Sequence, residues 1–400
     1  MTIQTNANIS VRIKRETTTG TAATASGATT VRLIPSAGSE FKRAAIIAQE
    51  LRGDGVTNMG RLGMKSVDSA YEGELTVGGA TDIIAEAIMR STWVTAFEVG
   101  FATMTTIAIG TNTLTAAGGD FVGTQGIRVG DIFKLSGTTV SADNNTNNVV
   151  VSIGSLTIVT TTGAFTTLAA TATGTITIAK KVKTATTPTR YSHTIEQYDE
   201  DADLSELFLG NRVTSMRLSC KPGEMAKLSF GCMGMDRTAL ATGTSPWFTS
   251  PSLTTGLGLI ADDASILYNG ALVTTFTGID LVFTLSANTV GVVGSFVAPD
   301  IFDNVLTVSG TISALRSDFS NLTLFDAETE FALNVLLQEL ATAPKPFFNV
   351  YLPRVKISAL SAPVGGGDGP KVETLTLMVG PKVAATGHDG TIATISSSAT

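Results

Sequence analysis

Charge is scarce in this chain. Only 15% of its 400 residues are Asp, Glu, Lys or Arg, and the formal net charge is -7. A general grip on nucleic acid needs surplus Lys and Arg against the phosphates, and here the balance runs the other way. Histidine is scarcer, with only His193 and His388, far apart in sequence. The two cysteines, Cys220 and Cys232, have no partner at zinc-ligand spacing. They flank CKPGEMAKLSFGC, which reads as two strands around a Pro222-Gly223 turn. At about 3.3 Å per residue they stand on the order of 20 Å apart, too far for a disulfide. Two free thiols are expected, in keeping with a reducing cytoplasm. No apolar run approaches the roughly 20 residues of a membrane helix. The start, MTIQTNANISVRIKRETTTG, lacks an apolar core and is read as carrying no secretory signal.

What is plentiful is the material of strands and turns. Hydrophobic residues make up 43%, there are 18 Phe and 40 Gly, and Thr recurs throughout. That is ample for one large core or two smaller ones, in a mainly β protein. YEGELTV (71–77) alternates, with Tyr71, Leu75 and Val77 on one face and Glu72, Glu74 and Thr76 on the other. TDIIAEAIMR then predicts a short amphipathic helix over 82–90, capped by Thr81 or Asp82, with Ile83, Ile84, Ala87 and Ile88 as its stripe. From about 100 to 187 the texture becomes Thr-, Gly- and Asn-rich, with short alternating runs such as NNVVVSIGS and GTITIAKKV. This predicts a small all-β domain, 100–187, inserted into a larger discontinuous one, 1–99 and 188–400. DNNTNN (143–148) reads as a solvent-facing turn.

Beyond the insert, YDEDADLSELFLG predicts a short helix ending at Gly210, opened by a capping box from Asp203 to Glu206. VTSMRLSC and AKLSFGC predict a hairpin, and Asn269-Gly270 in ILYNGALV marks another. FTGIDLVFTL, VLTVSGTISAL and ETLTLMVG alternate as strands, while DAETEFALNVLL fits helix or strand. In FFNVYLPRVKISAL the apolar parity switches at Pro353, as a bulge on an edge strand would make it.

Chemistry-bearing motifs do not rise above chance. SAPVGGGDGPKVET (361–374) looks like a phosphate cradle, but a strand follows it where a helix is needed, and Pro370 breaks the spacing to Lys371. GLGLIA (256–261) lacks the strand before and helix after that a dinucleotide turn requires. Asp199, Asp201 and Asp203 begin like a calcium loop, but Leu204 and Gly210 occupy its glycine and glutamate positions. They read instead as charges at a helix N-terminus. Arg52-Gly53-Asp54 is an integrin-type tripeptide too short to be informative. His193 alternates with Tyr191 and Ile195 as a sheet residue. No enzyme and no cofactor is expected; a structural protein is.

Three stretches carry a resemblance. ELRGDGVTNMGRLGMKSVDSAYEGELTVGGATDIIAEAIMR (50–90) is a charged loop, an alternating strand and a helix. Residues 191–236 include F-x-G-x-R-V-x-S at Phe208, Gly210, Arg212, Val213 and Ser215. NVYLPRVKISALSAPVGGGDGPKVETLTLMV (349–379) adds L-P-R-V-K and the glycine loop. In this order they resemble the major tail tube proteins of long, non-contractile-tailed bacteriophages, relatives of the type VI secretion tube. The resemblance implies a β-sandwich or barrel with a flanking helix. Six copies would form a ring, and stacked rings a tube that conducts DNA without binding it specifically. It further implies a virion protein assembled in the bacterial host's cytoplasm, meeting tape measure, tail terminator and distal tail proteins, with no membrane. The loop near 40–63, with Glu50, Arg52, Asp54 and Arg61, would reach the adjacent ring. An acidic lumen carrying Glu72 and Glu74 is the accompanying hypothesis, motivated by the net charge, by the strand face that bears them and by the need for DNA to slide; the alternative is that these residues face outward. The N-terminal arm (1–20) and C-terminal tail (380–400) would order on assembly. A surface adhesin or glycan-binding β protein is the alternative reading.

Overall fold

A computed structural model describes residues 3–5, 7–35, 38–50, 52–160, 165–339, 344–364, 369–384 and 387–398. Its strands fall into a seventeen-stranded and an eight-stranded sheet. The large sheet has an antiparallel spine. In spatial order this runs Gly38–Ile46, Arg61–Glu74, Lys227–Gly234, Leu204–Cys220, Phe276–Thr289, Ile301–Leu315, Val372–Val379 and Phe347–Ser361. Alternation sends Ile279, Leu281, Phe283 and Leu285, and with them Leu306, Val308 and Ile312, into one core.

Two long strands change partners along their length and so bend the sheet around that core. The first half of Leu204–Cys220 lies between His193–Asp199 and Asp236–Leu240, its second half between Lys227–Gly234 and Phe276–Thr289. The register shifts between Val213 and Ser215, where the change occurs. Phe347–Ser361 starts between Phe331–Gln338 and Thr394–Ser397 and finishes beside Val372–Val379. Its register with Phe331–Gln338 slips between Phe331 and Leu333, opposite Pro353, so the expected bulge is there. The strand is interior rather than an edge: the bulge accommodates the missing N–H.

The helix runs Ala80–Met89 and buries Ile84, Ala85, Ala87, Ile88 and Met89 against the core, with Ile83 partly covered. Neither expected cap forms. The cap position is Gly79, without a side-chain bond; Thr81 is buried, and Asp82 reaches Lys180 at 2.7 Å. The Cys220/Cys232 hairpin, the Asn269-Gly270 turn and the free thiols are as expected, and both thiols are buried. Asn269 and Gly270 have φ of 49° and 81°, as a type I′ turn requires. DAETEFALNVLL divides between the end of helix Ser320–Asp326 and strand Phe331–Gln338. The glycine loop's Gly365–Asp368 lie outside the described residues, but its flanking strands pair as a hairpin.

Four further expectations fail. DADLSELFLG is no helix: a turn at Asp203 (φ 51°) starts strand Leu204–Cys220. Pairing on both sides outweighs a local capping signal. Asp199 ends strand His193–Asp199, while Asp201 and Asp203 are turn residues, with Asp201 accepting bonds from Thr5 and Asn8. In the N-terminal arm, Ile9–Arg15 needs no neighbouring copy to pair: it lies between His193–Asp199 and Thr29–Val31 of its own chain. In the C-terminal tail, Thr394–Ser397 is likewise paired within the chain, buried between Lys180–Lys183 and Phe347–Ser361. The 143–148 turn is not solvent-facing throughout: Asp143 and Asn148 are buried, and Asn147 donates to Gln338 and to the carbonyl of Lys345.

The eight-stranded sheet comprises strands between Phe97 and Ile178 and has its own core around Phe101, Phe121, Phe133, Ile158 and Ile176. It sits on the large sheet along a packed seam. Ile132 and Val149 meet Leu267, Leu336 and Phe347. Beside them Lys181 bridges Asp131 at 2.6 Å and Asp389 at 3.1 Å, all three buried or nearly so.

Candidate assembly surfaces

Strand Gly38–Ile46 is the end of the spine. It pairs with Arg61–Glu74, and no second partner exists for it among the described residues. The last pair between Arg61–Glu74 and Lys227–Gly234 is Val67 with Gly234. Beyond it the hairpin runs on as a two-stranded ribbon, clear of most of the core. Such an edge offers a row of unpaired N–H and C=O groups to another chain.

Glu50, Arg52 and Asp54 lie in the exposed connection between these strands, and Arg61 begins the second strand opposite Ile46. The first three charges are engaged within the loop. Arg52 holds Asp54 at 2.7 Å and donates to Asn58 at 2.8 Å, and Asn58 in turn donates to Glu50. The Arg52 guanidinium, then the Val56 N–H, hold the Asp54 carboxyl below its ordinary range. Arg61 is not part of this chain of bonds. What the sequence reading passed over is apolar: Ile46, Ile47, Val56, Met59 and Leu62 are all exposed. The signal was available in the Ile46-Ile47 pair ahead of a Gly-rich loop.

Glu72 and Glu74 do come together on one open face of the spine. Cross-strand register builds the rows. Glu72 is opposite Ser229, then Arg217, Val282, Ser309 and Met378; Glu74 is opposite Lys227, then Ser219, Asp280, Thr311 and Thr376. Directly opposite residues share a face, so this is a single surface, rich in hydroxyls. Its charges are matched: Glu72 to Lys227 at 3.7 Å, Glu74 to Arg32 at 3.7 Å, and Asp280 to Arg217 through a 2.8 Å bond to Nε.

Another edge is closed by side chains. Val372–Val379 covers Ile301–Leu315 only from Ser309 onward. Arg212, Arg190 and Arg90 donate to the carbonyls of Ile301, Asp303 and Asn304, and all three ion-pair with the buried Asp303. Arg212 also holds Asp300 at 2.6 Å. The arginine of the F-x-G-x-R-V-x-S motif is therefore a structural clamp.

The chemical candidates are distributed and enclosed. Burial pushes both thiols up to about 12, and burial drives His193 down to about 4. Among the described residues no group of three or more His, Cys, Asp or Glu could hold a metal, and no helix is long and apolar enough to cross a membrane. GLGLIA has no helix after it, only a 3₁₀ turn at Ala261–Asp263.

Comparison with curated proteins gives no match. A family profile described as phage tail tube protein matches residues 6–399. With an open-edged β fold and a match over nearly its whole length, the chain belongs to the phage tail tube protein family.

Proposed function

We propose that this structural virion protein assembles as hexameric rings that stack into the tail tube, the conduit through which DNA leaves the particle. The observation that carries this is the unpaired edge of Gly38–Ile46 at the end of an eight-strand spine. An edge of nine residues can be completed by strand addition from an identical copy, and a head-to-tail contact that closes makes a ring. Edge-pairing builds each ring, and the 47–60 connection, with Glu50, Arg52, Asp54 and Arg61 at or beside it, reaches the next one. The internal bonds of Arg52, Asp54 and Asn58 support that role by stiffening the loop before contact.

The face bearing Glu72 and Glu74 lines the channel. Its hydroxyls and matched charges give a passing duplex no surplus cations to release counterions against. The tape measure protein occupies the bore before DNA does, terminator and distal tail proteins close the ends, and assembly takes place in the host cytoplasm. The unit built on residues 100–187 is an inserted domain directed outward, since a module of that size would obstruct the bore.

Electron microscopy of the purified protein in negative stain tests this. Hollow cylinders with six-fold end views, growing with concentration, are expected. Particles that stay monomeric at every concentration overturn it.

A further inference from the structure

The ribbon Gly38–Ile46/Arg61–Glu74 does not stand alone. Where Lys227–Gly234 ceases to cover it, a second segment takes over: the loop joining Phe276–Thr289 to Ile301–Leu315. The Phe296 carbonyl accepts the Lys65 N–H at 2.8 Å, two residues beyond the last sheet pair. The Arg43 guanidinium lies 5.0 Å from the centre of the Phe296 ring, and Gly291 is packed so closely on the Met64 sulfur that a Cβ there would stand 3.2 Å from it. The loop is thus docked on the stem of the ribbon.

What the loop presents is apolar and uncovered. Val293 is fully exposed, and Val290, Val292 and Phe296 are about half exposed. On the ribbon itself Met59 is 95% exposed, with Ile46, Ile47, Val56 and Leu62 also open. Isolated exposed apolar side chains are ordinary, but nine on two segments joined by a backbone hydrogen bond are the mark of an interface. The flanking charges support a contact driven by apolar burial: Arg52, Asp54 and Glu50 are committed to partners inside the loop, and Lys65 is held by Asp236 at 2.8 Å.

We propose that the Val290–Phe296 loop is a second, apolar contact element that docks, together with the ribbon, on another copy of this chain. This rests on the self-assembly reading above and deepens it. The occupant is a second copy because the ribbon that carries the loop is itself the open-edged element of a protein whose family builds tubes from identical subunits. Continuity between loop and ribbon places both in one contact.

Val293→Asp and Met59→Asp test the two halves separately, because neither side chain is buried and neither substitution should disturb the fold. Circular dichroism and the melting temperature of each unassembled variant verify that. The readout is the protein concentration at which tubes appear, by sedimentation and microscopy. Each substitution is expected to raise it by about tenfold or more. If Met59→Asp impairs assembly and Val293→Asp leaves it unchanged, the loop has no part in the contact and this inference fails, while the self-assembly reading stands. If unaltered protein makes no tubes at any concentration, it is the self-assembly reading that fails, and this inference with it.

Discussion

Glu196 shows how a single buried carboxylate can tie separate segments of the chain together. It is fully buried, yet its carboxylate accepts from Arg12 at 3.3 Å, from the Ser205 hydroxyl at 2.7 Å, and from the N–H groups of Trp247 and Phe248 at 2.6 and 3.1 Å. It thereby fastens the first strand and the 245–250 loop to the interior. Glu196→Ala would strand the buried Arg12 and two N–H groups. A loss of about 3–5 kcal/mol is expected in urea unfolding of the unassembled protein. His193 sets a different expectation. Burial, with Arg15 adding a smaller push, lowers its pKa to about 4, while a bond with the Asn211 backbone opposes the shift. The unfolded chain takes up this proton near pH 6.5 and the folded chain does not until about 4. Stability contributed by the neutral ring is therefore complete above pH 6.5 and declines as pH falls to 4, by about 3 kcal/mol. His193→Gln, which cannot titrate, should flatten that part of the stability profile; an unchanged slope would assign it to carboxylates elsewhere.

At the scale of elements, the seam between the two sheets depends on the absence of one side chain. Gly130, at φ 87°, lies so close to the Tyr351 ring that a Cβ would fall 2.2 Å from it. Gly130→Ala should lift the small sheet from its seat and destabilise by about 1–3 kcal/mol, through overpacking and the left-handed backbone together. Faster proteolysis around 184–189 in the variant is the check. No pattern in the sequence marks this glycine among 40, because its constraint comes from a residue more than two hundred positions away. The same limit explains what was legible and what was not. Strands such as Phe276–Thr289 and Val372–Val379 declare themselves by period, and the Asn269-Gly270 turn by its dihedral needs. DADLSELF carries a sound local helix signal, and only its two distant strand partners make it a strand. Thr394–Ser397 reads as a polar tail because its value lies in pairing with Lys180–Lys183 and Phe347–Ser361. The charged residues of the 47–60 connection were visible, but the Val290–Phe296 loop on the stem of the same ribbon was not, since nothing in one segment announces the other.

For the whole molecule, the decisive question is which way its surfaces face in a tube. A face matched in charge and rich in hydroxyls suits a bore, and a module with its own core suits the outside. The two can share one protomer because the small sheet is anchored on Phe331–Gln338 and Phe347–Ser361, away from Glu72 and Glu74. Its docking is firm rather than tethered, through Ile132, Val149 and the buried Lys181, so its direction should be the same in every copy. A gold label therefore gives a clean reading. Ala172 and Thr173 are exposed in the turn between Leu168–Thr171 and Thr175–Ile178. A hexahistidine insertion there, labelled with nickel-gold on assembled tubes, should decorate the outer wall at the axial ring spacing. Tubes that assemble but carry gold only at their open ends would place the module toward the lumen. The proposal that the module is directed outward would then fail.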